Sequence, residues 1–325
     1  MRAPEFWRHD GPLATALAPL ALAFDGVGRV RRALIRPWRA PLVVICVGNL
    51  VAGGAGKTPV ALAIGVRLAA RGVAVHFLTR GHGGRTRGPL AVDPARHDAA
   101  LVGDEALLLA AVAPTWVARD RPAGAARAAA AGAEAVVMDD GYQNPSLVKD
   151  LAIVVVDGDY GFGNRRVMPA GPLREAPGPG LVRADAVVLI GEGQVPVGLY
   201  DGRPLLRATL APTPAARALA KRRVVAFAGI GRPEKFFATL KEMSCEIVAA
   251  HAFADHHRYD ADEIMRLVEA AAALDATPVT TAKDFVRLPA EARPMVEPVP
   301  VTLAWRRPEA LDRLLDGLDI GVVAR

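Results

Sequence analysis

Short apolar runs alternate along the chain with segments in which apolar residues recur at helical spacing. Residues 42–47 form the first apolar run, and residues 59–70 form the first helical segment. Residues 151–157 are almost entirely apolar, which predicts a central strand because both faces are covered. The same pattern predicts further strands at 73–78, 115–118, 135–138 and 186–190, and helices near Asp104 and at 123–131. Alternation of strands and helices predicts a parallel sheet covered by helices.

A second series of strands and helices begins at residue 223. Its predicted strands are 223–228, 246–250 and 277–281, and its predicted helices are 234–243, 261–273 and 308–315. Before it, residues 158–183 are rich in glycine, proline and arginine and too long for a simple connector, which is typical of a functional loop. Because 325 residues suffice for two cores, we expect two α/β domains.

A glycine-rich loop lies between the first predicted strand and the first predicted helix. It contains Val51, Ala52, Gly53, Gly54, Ala55, Gly56, Lys57 and Thr58. Backbone N–H groups of such a loop converge on an anion, and the next helix directs its positive dipole end there. Lys57 would reach the β- and γ-phosphates, and Thr58 would hold Mg²⁺. The strict G-x-x-x-x-G-K-[ST] pattern has glycine in place of Val51, so we expect the Gly53-Gly54 doublet to supply the turn.

Two pairs of acidic residues are candidates for the chemistry. Asp139 and Asp140 follow a predicted strand, where P-loop enzymes place a carboxylate that contacts Mg²⁺ directly or through water. A helix cap or a turn is the alternative for this pair. Asp104 and Glu105 begin a predicted helix, where free amides favour carboxylates in any case. The functional alternative is that Asp104 accepts a proton from an attacking hydroxyl, and the residues alone leave both interpretations open.

The second half of the chain contains the triplet Asp255, His256 and His257, just after an apolar strand. Parallel-sheet proteins place ligands at such points, and an aspartate can orient a neighbouring histidine. Adjacent histidines point in different directions from an extended chain, which disfavours a metal site made by this pair. A surface turn is the other interpretation.

Several arginines are candidates for neutralising phosphate, because a guanidinium binds an oxyanion through paired donors. They are Arg165, Arg166, Arg174 and the arginines of residues 80–87. The alternative for each of them is a solvated surface side chain that binds no phosphate. Thr281-Ala282-Lys283-Asp284 is similar to a guanine-reading N-K-x-D element, but threonine replaces the asparagine and the lysine is displaced. This departure disfavours a GTPase.

The formal net charge of +6 favours an anionic partner, which could be a nucleotide, nucleic acid or an acidic membrane. Nucleic acid is disfavoured, because aromatic residues make up only 5% and no basic stripe is interleaved with stacking rings. The two cysteines, Cys46 and Cys245, form neither a metal-binding spacing nor a disulfide framework. A reducing compartment is the simplest inference.

The N-terminal segment 12–24 is apolar and uncharged, but it is too short to cross a bilayer comfortably as a helix. Basic residues follow it and tryptophans flank it: Arg29, Arg31, Arg32, Arg36, Arg39, Trp7 and Trp38. This pattern predicts a helix that lies on an anionic membrane. A helix packed on the protein's own core is the other interpretation. The basic cluster comes after the apolar run, which disfavours a cleaved signal peptide.

Seven motifs together resemble the tetraacyldisaccharide 4'-kinase family of lipid A synthesis. They are VGNLVAGGAGKTP (47–59), TRGHGG (79–84), VGDEALLLA (102–110), MDDGYQNPSL (138–147), VVVDGDYGFGNRRVMPAGPLREAP (154–177), FADHHRYD (253–260) and TTAKDFVRL (280–288). The segment with GFGN and PAGPLRE is the most discriminating, since no generic ATPase requires it. The chain departs from the family at Asn144, where many relatives have histidine, and at His82, where tyrosine is common.

The resemblance implies transfer of the γ-phosphoryl group of ATP to the 4'-hydroxyl of a lipid A disaccharide 1-phosphate. The product would be lipid IVA, made at the cytoplasmic face of the inner membrane. The resemblance also implies two α/β/α domains joined by a two-stranded linker, with catalysis in the cleft between them. It assigns ATP and Mg²⁺ to Lys57 and Thr58, the Walker B position to Asp139, the catalytic base to Asp104, assistance to His256, and supporting roles to Glu105, Asp255 and Arg174.

We therefore expect an α/β fold with a P-loop NTPase-like parallel-sheet domain and a second, smaller α/β/α domain. The expected divisions are a membrane-associated helical segment at 1–40, a kinase domain at 41–199, an extended linker at 200–222 and a C-terminal α/β domain at 223–325. Expected ligands are ATP, Mg²⁺, the disaccharide 1-phosphate and an anionic inner-membrane surface, and no nucleic acid is expected. We expect the protein to be a monomer. The main rival is a P-loop ATPase switch that binds a partner protein. A membrane scaffold would not need Asp139 and Lys57 together.

Overall fold

Two sheets form the framework of the protein. The computed structural model describes residues 4–194 and 202–321. These ranges contain the strands β1 (Val43–Gly48), β2 (Val75–Thr79), β3 (Leu90–Ala91), β4 (Thr115–Val117), β5 (Ala135–Asp139), β6 (Leu151–Asp157), β7 (Ala186–Ile190), β8 (Leu205–Pro212), β9 (Arg223–Ala228), β10 (Glu246–Ala252), β11 (Thr277–Thr281), β12 (Glu297–Val299) and β13 (Val301–Trp305). The large sheet has the order β13-β8-β7-β6-β1-β5-β2-β4-β3, and the small sheet has the order β10-β9-β11-β12.

Helices cover both sheets. They are α1 (Pro12–Ala16), α2 (Ala18–Leu34), α3 (Lys57–Ala69), α4 (Ala99–Val102), α5 (Asp104–Ala110), α6 (Arg121–Ala130), α7 (Pro177–Val182), α8 (Pro233–Glu242), α9 (Ala261–Ala273), α10 (Ala282–Phe285) and α11 (Pro308–Asp316). Strand neighbours are parallel, except that β3 and β13 pair antiparallel with β4 and β8 at the two edges of the large sheet. The predicted α/β fold, with a P-loop kinase sheet and a second α/β/α unit, is confirmed.

Strand β1 lies inside the large sheet, between β5 and β6, and is buried on both faces. Val44 and Cys46 belong to one apolar core, whereas Ile45 and Val47 belong to the core on the opposite face. This division follows from the alternation of side chains along a strand. The loop after Gly48 therefore starts from a rigid point in the middle of the sheet.

Both cysteines are buried and free, as the sequence spacing indicates. Burial raises the pKa of the Cys46 thiol to about 11, although the charges of Lys149 and Arg121 oppose the rise. Cys46 is therefore a small core residue rather than a reactive thiol.

The two domains are joined by two paired strands. Strand β8 leads from the large sheet towards the small one, and β13 returns along β8 in the antiparallel sense. Helix α11 then packs on α3, where Arg67 and Arg71 bind Asp312 and Arg71 binds Asp316. The sequence analysis assigned all of 223–325 to the second domain, whereas β13 and α11 lie against the first. The predicted boundary at 199–200 falls outside the described residues.

The N-terminal helices differ in extent from the predicted apolar segment. Helix α2 continues to Leu34, so Arg29, Arg31 and Arg32 lie on the helix and not after it. In the part of the chain that the structure describes, no helix combines the length and apolar character that crossing a membrane requires.

Gly65 is where α3 approaches β2, and a Cβ atom there would lie 2.3 Å from Cζ of the fully buried Phe77. We expect Gly65→Ala to lower the free energy of unfolding by about 1–3 kcal/mol, because the ring must shift. This loss outweighs the gain in helix propensity, which is about 1 kcal/mol. Urea-induced unfolding followed by tryptophan fluorescence measures the change.

The matched control for this prediction is Gly26→Ala in α2, where a Cβ would meet nothing within 4 Å. We expect this variant to be as stable as the wild type or slightly more stable. Equal stability of Gly65→Ala and the wild type would contradict the packing described for α3 and β2.

Candidate active site

The glycine-rich loop connects β1 to the start of α3 at Lys57. Gly56 is the helix N-cap and has a φ of 82°, a conformation that favours glycine. A Cβ on Gly56 would lie 2.4 Å from Cδ1 of Ile190, whereas Gly53 and Gly54 have nothing within 4 Å of that position. The loop therefore packs tightly on the sheet at its end and leaves open space beside its glycine doublet. An anion can approach the backbone there.

Asn49 lies beneath this loop and is fully buried. Its Nδ2 donates to the carbonyl of Gly53 at 3.3 Å, and its Oδ1 has no hydrogen-bond partner within the described ranges. The side chain fixes the shape of the loop from below. Asn49 belongs to the motif at 47–59, and the sequence predicted no separate role for it.

Thr58 and Asp139 meet at the base of the loop. The Thr58 hydroxyl donates to Oδ2 of Asp139 at 2.8 Å, and strand pairing places Asp139 next to Val47. Asp139 is fully buried, and its Oδ1 has no partner among the described residues. Burial raises the pKa of Asp139 to about 7, the negative charge of Glu105 adds to the rise, and Lys57 opposes it.

These oxygen atoms fit a magnesium ion. Mg²⁺ in P-loop enzymes takes one hydroxyl and one carboxylate from the protein and completes its shell with phosphate and water. The unpaired Oδ1 of Asp139 and the Thr58 hydroxyl are such a pair. Among the described residues there is no group of three or more histidine, cysteine or acidic side chains that could hold a metal alone.

Asp140 connects two positive side chains at the edge of the loop. Its backbone has a φ of 53°, which turns the chain sharply after β5. Arg174 Nη1 donates to Asp140 Oδ1 at 2.8 Å, and Lys57 Nζ lies 3.7 Å from the same oxygen. Burial works against ionisation, but the charges of Lys57 and Arg174 lower the pKa of Asp140. The carboxylate thus holds both cations close to the phosphate loop.

A second group of charged side chains surrounds Asp104 at the start of α5. Asp104 is 3% exposed, and its Oδ2 lies 3.0 Å from His256 Nδ1, 3.0 Å from Arg287 Nε and 3.8 Å from Lys283 Nζ. Burial raises the pKa of Asp104, but the hydrogen bond from His256 and the charges of Lys283 and Arg287 outweigh it and lower the pKa to about 2. Because this pKa is below the ordinary 3.8, the arrangement stabilises the fold above about pH 4 and loses that effect as the pH falls towards 2.

The same contacts fix the orientation of His256. Asp104 is ionised and accepts only, so Nδ1 of His256 carries the proton of their hydrogen bond. The other ring nitrogen, Nε2, lies 3.4 Å from Lys283 Nζ. His82 packs edge-on against the ring at a centroid distance of 5.4 Å. Although 152 residues separate Asp104 from His256, the fold makes them a bonded pair.

Glu105 lies between this pair and the phosphate loop. Its carboxylate is 3.7 Å from Lys283 Nζ and is close enough to Asp139 to raise the pKa of that carboxyl. Asp255 lies on the other side of His256, with its Oδ1 3.9 Å from Nε2. That oxygen is buried and has no hydrogen-bond partner in the part of the chain that the structure describes.

Other residues singled out by the sequence lie outside this cluster. His257 binds Glu263 at 2.7 Å, and Arg166 binds Asp10 of the N-terminal segment. Asn144 accepts from the backbone and hydroxyl of Ser146, which closes a turn. Sequence reasoning missed the roles of Lys283 and Arg287. It named Asp140 as a candidate but did not predict that this carboxylate binds Lys57 and Arg174. Lys283 and Arg287 are four residues apart near α10, a spacing that places both on one side, but nothing local relates them to Asp104.

The domains also meet at a second place. Asp157 ends β6 and binds Arg232 and Lys235 of the small domain, with Lys235 Nζ 3.0 Å from Asp157 Oδ2. Burial opposes ionisation of Asp157, but these two cations lower its pKa. Asp159 binds Lys235 at 2.6 Å. The two domains are therefore held together by charged contacts at Asp104 and at Asp157.

Comparison with known proteins gives the same family throughout. The family model for tetraacyldisaccharide-1-P 4'-kinase matches residues 13–318. A tetraacyldisaccharide 4'-kinase of Rhodospirillum centenum is 58% identical over 323 residues, which cover 97% of this chain and 96% of that protein. One of Rhodospirillum rubrum is 54% identical and covers 99% of both chains.

A solved structure agrees with these sequence matches. The structure of LpxK from Aquifex aeolicus in complex with ATP matches with a TM-score of 0.75 at 26% identity, covering 94% of this chain and 98% of that one. The family match includes the phosphate loop, the Asp104 and His256 pair and both sheets. The chain therefore belongs to the tetraacyldisaccharide-1-P 4'-kinase family.

Proposed function

We propose that the protein transfers the γ-phosphoryl group of ATP to the 4'-hydroxyl of tetraacyldisaccharide 1-phosphate and forms lipid IVA in lipid A biosynthesis. Family membership over residues 13–318 supports the reaction. The observation that carries it in this chain is the Asp104–His256 pair, which links the two domains beside the phosphate loop. A phosphate-binding loop alone would suit any ATPase, whereas an alcohol acceptor needs a group that takes its proton.

The Asp104–His256 pair takes the proton of the sugar hydroxyl. The family resemblance implies that Asp104 is the base, but a carboxylate with a pKa of about 2 is a weak proton acceptor. His256 is about one-third exposed, and Asp104 fixes its Nδ1 as the donor, which leaves Nε2 as the acceptor. We assign proton acceptance to His256 Nε2 and orientation of the ring to Asp104. Asp255 and Glu105 support the pair from its two sides.

The phosphate loop neutralises the transferred group. The amides of residues 51–58 and the Lys57 ammonium would bind the phosphates, and Arg174 would add a guanidinium. Asp140 holds Lys57 and Arg174 beside the loop, where both cations can bind phosphate oxygens. Thr58 and Asp139 would hold Mg²⁺, which supplies further positive charge at the phosphates.

The N-terminal helices form the membrane contact of this proposal. Large apolar side chains stand exposed on them, including Leu22 at 75%, Val27 at 71% and Leu34 at 76%. Arg29 and Arg31 are exposed on the same helix, which suits an anionic leaflet. Because its acylated acceptor resides in a bilayer, we assign the protein to the cytoplasmic face of the inner membrane. The monomeric state stays a prediction.

The rival function is an ATPase switch that phosphorylates no small molecule. Radiolabelled ATP in mixed micelles with the disaccharide 1-phosphate separates the two. The kinase transfers label to the lipid, and mass spectrometry finds one added phosphate. Release of inorganic phosphate alone, with an unlabelled lipid, would contradict the proposed function.

The proton-accepting pair predicts a specific kinetic pattern. We expect Asp104→Asn and His256→Ala each to lower kcat by about 100-fold or more, with little change in the KM for ATP. The double variant should be scarcely worse than either single one, because the two side chains act as a unit. Steady-state kinetics in mixed micelles measures the effects. His251→Ala, at an exposed histidine of β10, is the control and should match the wild type.

Full activity of Asp104→Asn or of His256→Ala would remove its residue from the proposed mechanism.

Asp139 predicts a conflict between activity and stability. Its folded-state pKa of about 7 lies above the ordinary 3.8, so the fold loses stability as the pH rises through this interval and the buried group ionises. We expect Asp139→Asn to abolish transfer but to raise Tm by several degrees at pH 8 without Mg²⁺ or nucleotide. The gain should shrink at pH 5. Differential scanning calorimetry measures it.

Asp262→Asn is the control for this stability effect, because Asp262 is an exposed acid in the first turn of α9. Its Tm difference from the wild type should vary little between the two pH values. A lower Tm for Asp139→Asn than for the wild type at pH 8 would show that ionisation of the buried Asp139 does not destabilise the fold.

The membrane contact is tested by the triple variant Leu22→Gln, Val27→Gln and Leu34→Gln. Removing three exposed apolar side chains should weaken binding to anionic vesicles about 10-fold or more, because that area no longer enters the interface. Vesicle sedimentation measures binding. Val66→Gln, at an exposed apolar residue of α3, should bind like the wild type. Unchanged binding of the triple variant would contradict the assignment.

A further inference from the structure

A buried carboxylate lies between the N-terminal helix α2 and the phosphate loop. Glu175 is 1% exposed and is held by two arginines. Arg183 Nη2 donates to both of its oxygens, at 2.9 and 2.8 Å, and Arg32 Nη2 of α2 lies 3.4 Å from Oε2. A buried anion keeps its position only while its cationic partners remain. None of the roles assigned above uses Glu175.

Glu175 contacts the phosphate site through Gln143. The Gln143 amide Nε2 donates to Glu175 Oε1 at 3.1 Å and to the carbonyl of Asn49 at 2.9 Å. Its Oε1 accepts from Arg174 Nη1 at 3.3 Å, the same nitrogen that binds Asp140. Each atom of the Gln143 amide is therefore committed, and a shift of Glu175 must move the Arg174 guanidinium or the loop.

Backbone contacts hold the same segment on both sides. The amide of Ala52 donates to the carbonyl of Pro172, and the amide of Arg174 donates to the carbonyl of Leu50, both at 2.7 Å. On the other side, Asp25 of α2 accepts from the amide of Ala176 at 3.4 Å. Residues 172–176 are thus bonded to α2 and to the phosphate loop at once.

We propose that Glu175 is a positioning residue that couples the position of α2 to the phosphate site. The coupling runs from Arg32 to Glu175 and then through Gln143 to Arg174. The inference rests on the proposed kinase function and adds that the position of α2 regulates the rate of transfer. When α2 lies on a membrane that carries the acceptor, Arg32 is held against Glu175 and Arg174 is aligned for transfer. When α2 moves away from Glu175, this carboxylate loses Arg32, one of its two cations, and Arg174 is no longer aligned for transfer.

The test compares Arg32→Ala with Arg31→Ala in mixed micelles with Mg-ATP and the disaccharide 1-phosphate. Arg31 is its neighbour on α2, has the same charge and is exposed, so it controls for lost attraction to the membrane. We expect Arg32→Ala to lower kcat about 3- to 10-fold with the KM for ATP within about 2-fold. Arg31→Ala should raise the KM for the lipid, because it weakens attraction to the membrane, but should change kcat at saturating lipid by less than about 2-fold. Arg32→Lys should recover most of the loss, because an ammonium can also pair with Glu175.

A double-variant cycle adds a readout that simple destabilisation would not reproduce. In a Glu175→Gln background, Arg32→Ala should have no further effect on kcat, because the carboxylate that it acts through is gone. If Glu175→Gln does not fold, as judged by its Tm, the comparison of Arg32→Ala, Arg31→Ala and Arg32→Lys decides alone.

Two outcomes overturn the coupling while leaving the kinase function intact. They are equal kcat values for Arg32→Ala and Arg31→Ala beside an active wild type, and additive losses in the double-variant cycle. A wild-type protein that transfers no phosphate to the lipid overturns the proposed function, and the coupling with it.

Discussion

The hydrogen bond between Asp104 and His256 is the interaction on which the functional site depends. One partner begins a helix of the large domain, and the other lies in a loop of the small domain at a φ of 58°. Arg287 and Lys283, also from the small domain, hold the same carboxylate. Because Asp104 is buried, separating the domains would expose it and release three small-domain partners together. The geometry of the proposed proton-accepting pair therefore depends on the contact between the two domains.

The phosphate side of the site does not depend on contacts between the domains. There the framework is the rigid sheet, since β1 and β5 place the loop and Asp139 side by side. Charges are held without full compensation: Asp139 is buried with one oxygen unpaired, and Asp140 keeps Lys57 and Arg174 together. Such strain is tolerated where a ligand resolves it, and the nucleotide with its metal would do so here.

The sequence predicted the parts of this arrangement that are local. The phosphate loop, Thr58 and Asp139 could be read from a strand, a glycine turn and a second strand end, because each signal occupies a few consecutive residues. The Asp104–His256 pair could not be predicted from periodicity, since the two residues are 152 positions apart, and only family resemblance related them. Sequence reasoning missed Arg287 and did not predict the cations that Asp140 binds, because tertiary packing and a left-handed backbone decide these contacts. It likewise missed the return of β13 to the large sheet, because β13 pairs with β8, which lies far from it along the chain, and no local pattern specifies that pairing.

The most direct test of the account is nitrogen NMR of histidine-labelled protein, with His256 assigned by its substitution. The account predicts that the ring carries its proton on Nδ1 with the signature of a hydrogen bond to a carboxylate, and that Asp104→Asn removes this signature. A His256 signal that is the same in the wild type and in Asp104→Asn would contradict a bond between the two domains at this site.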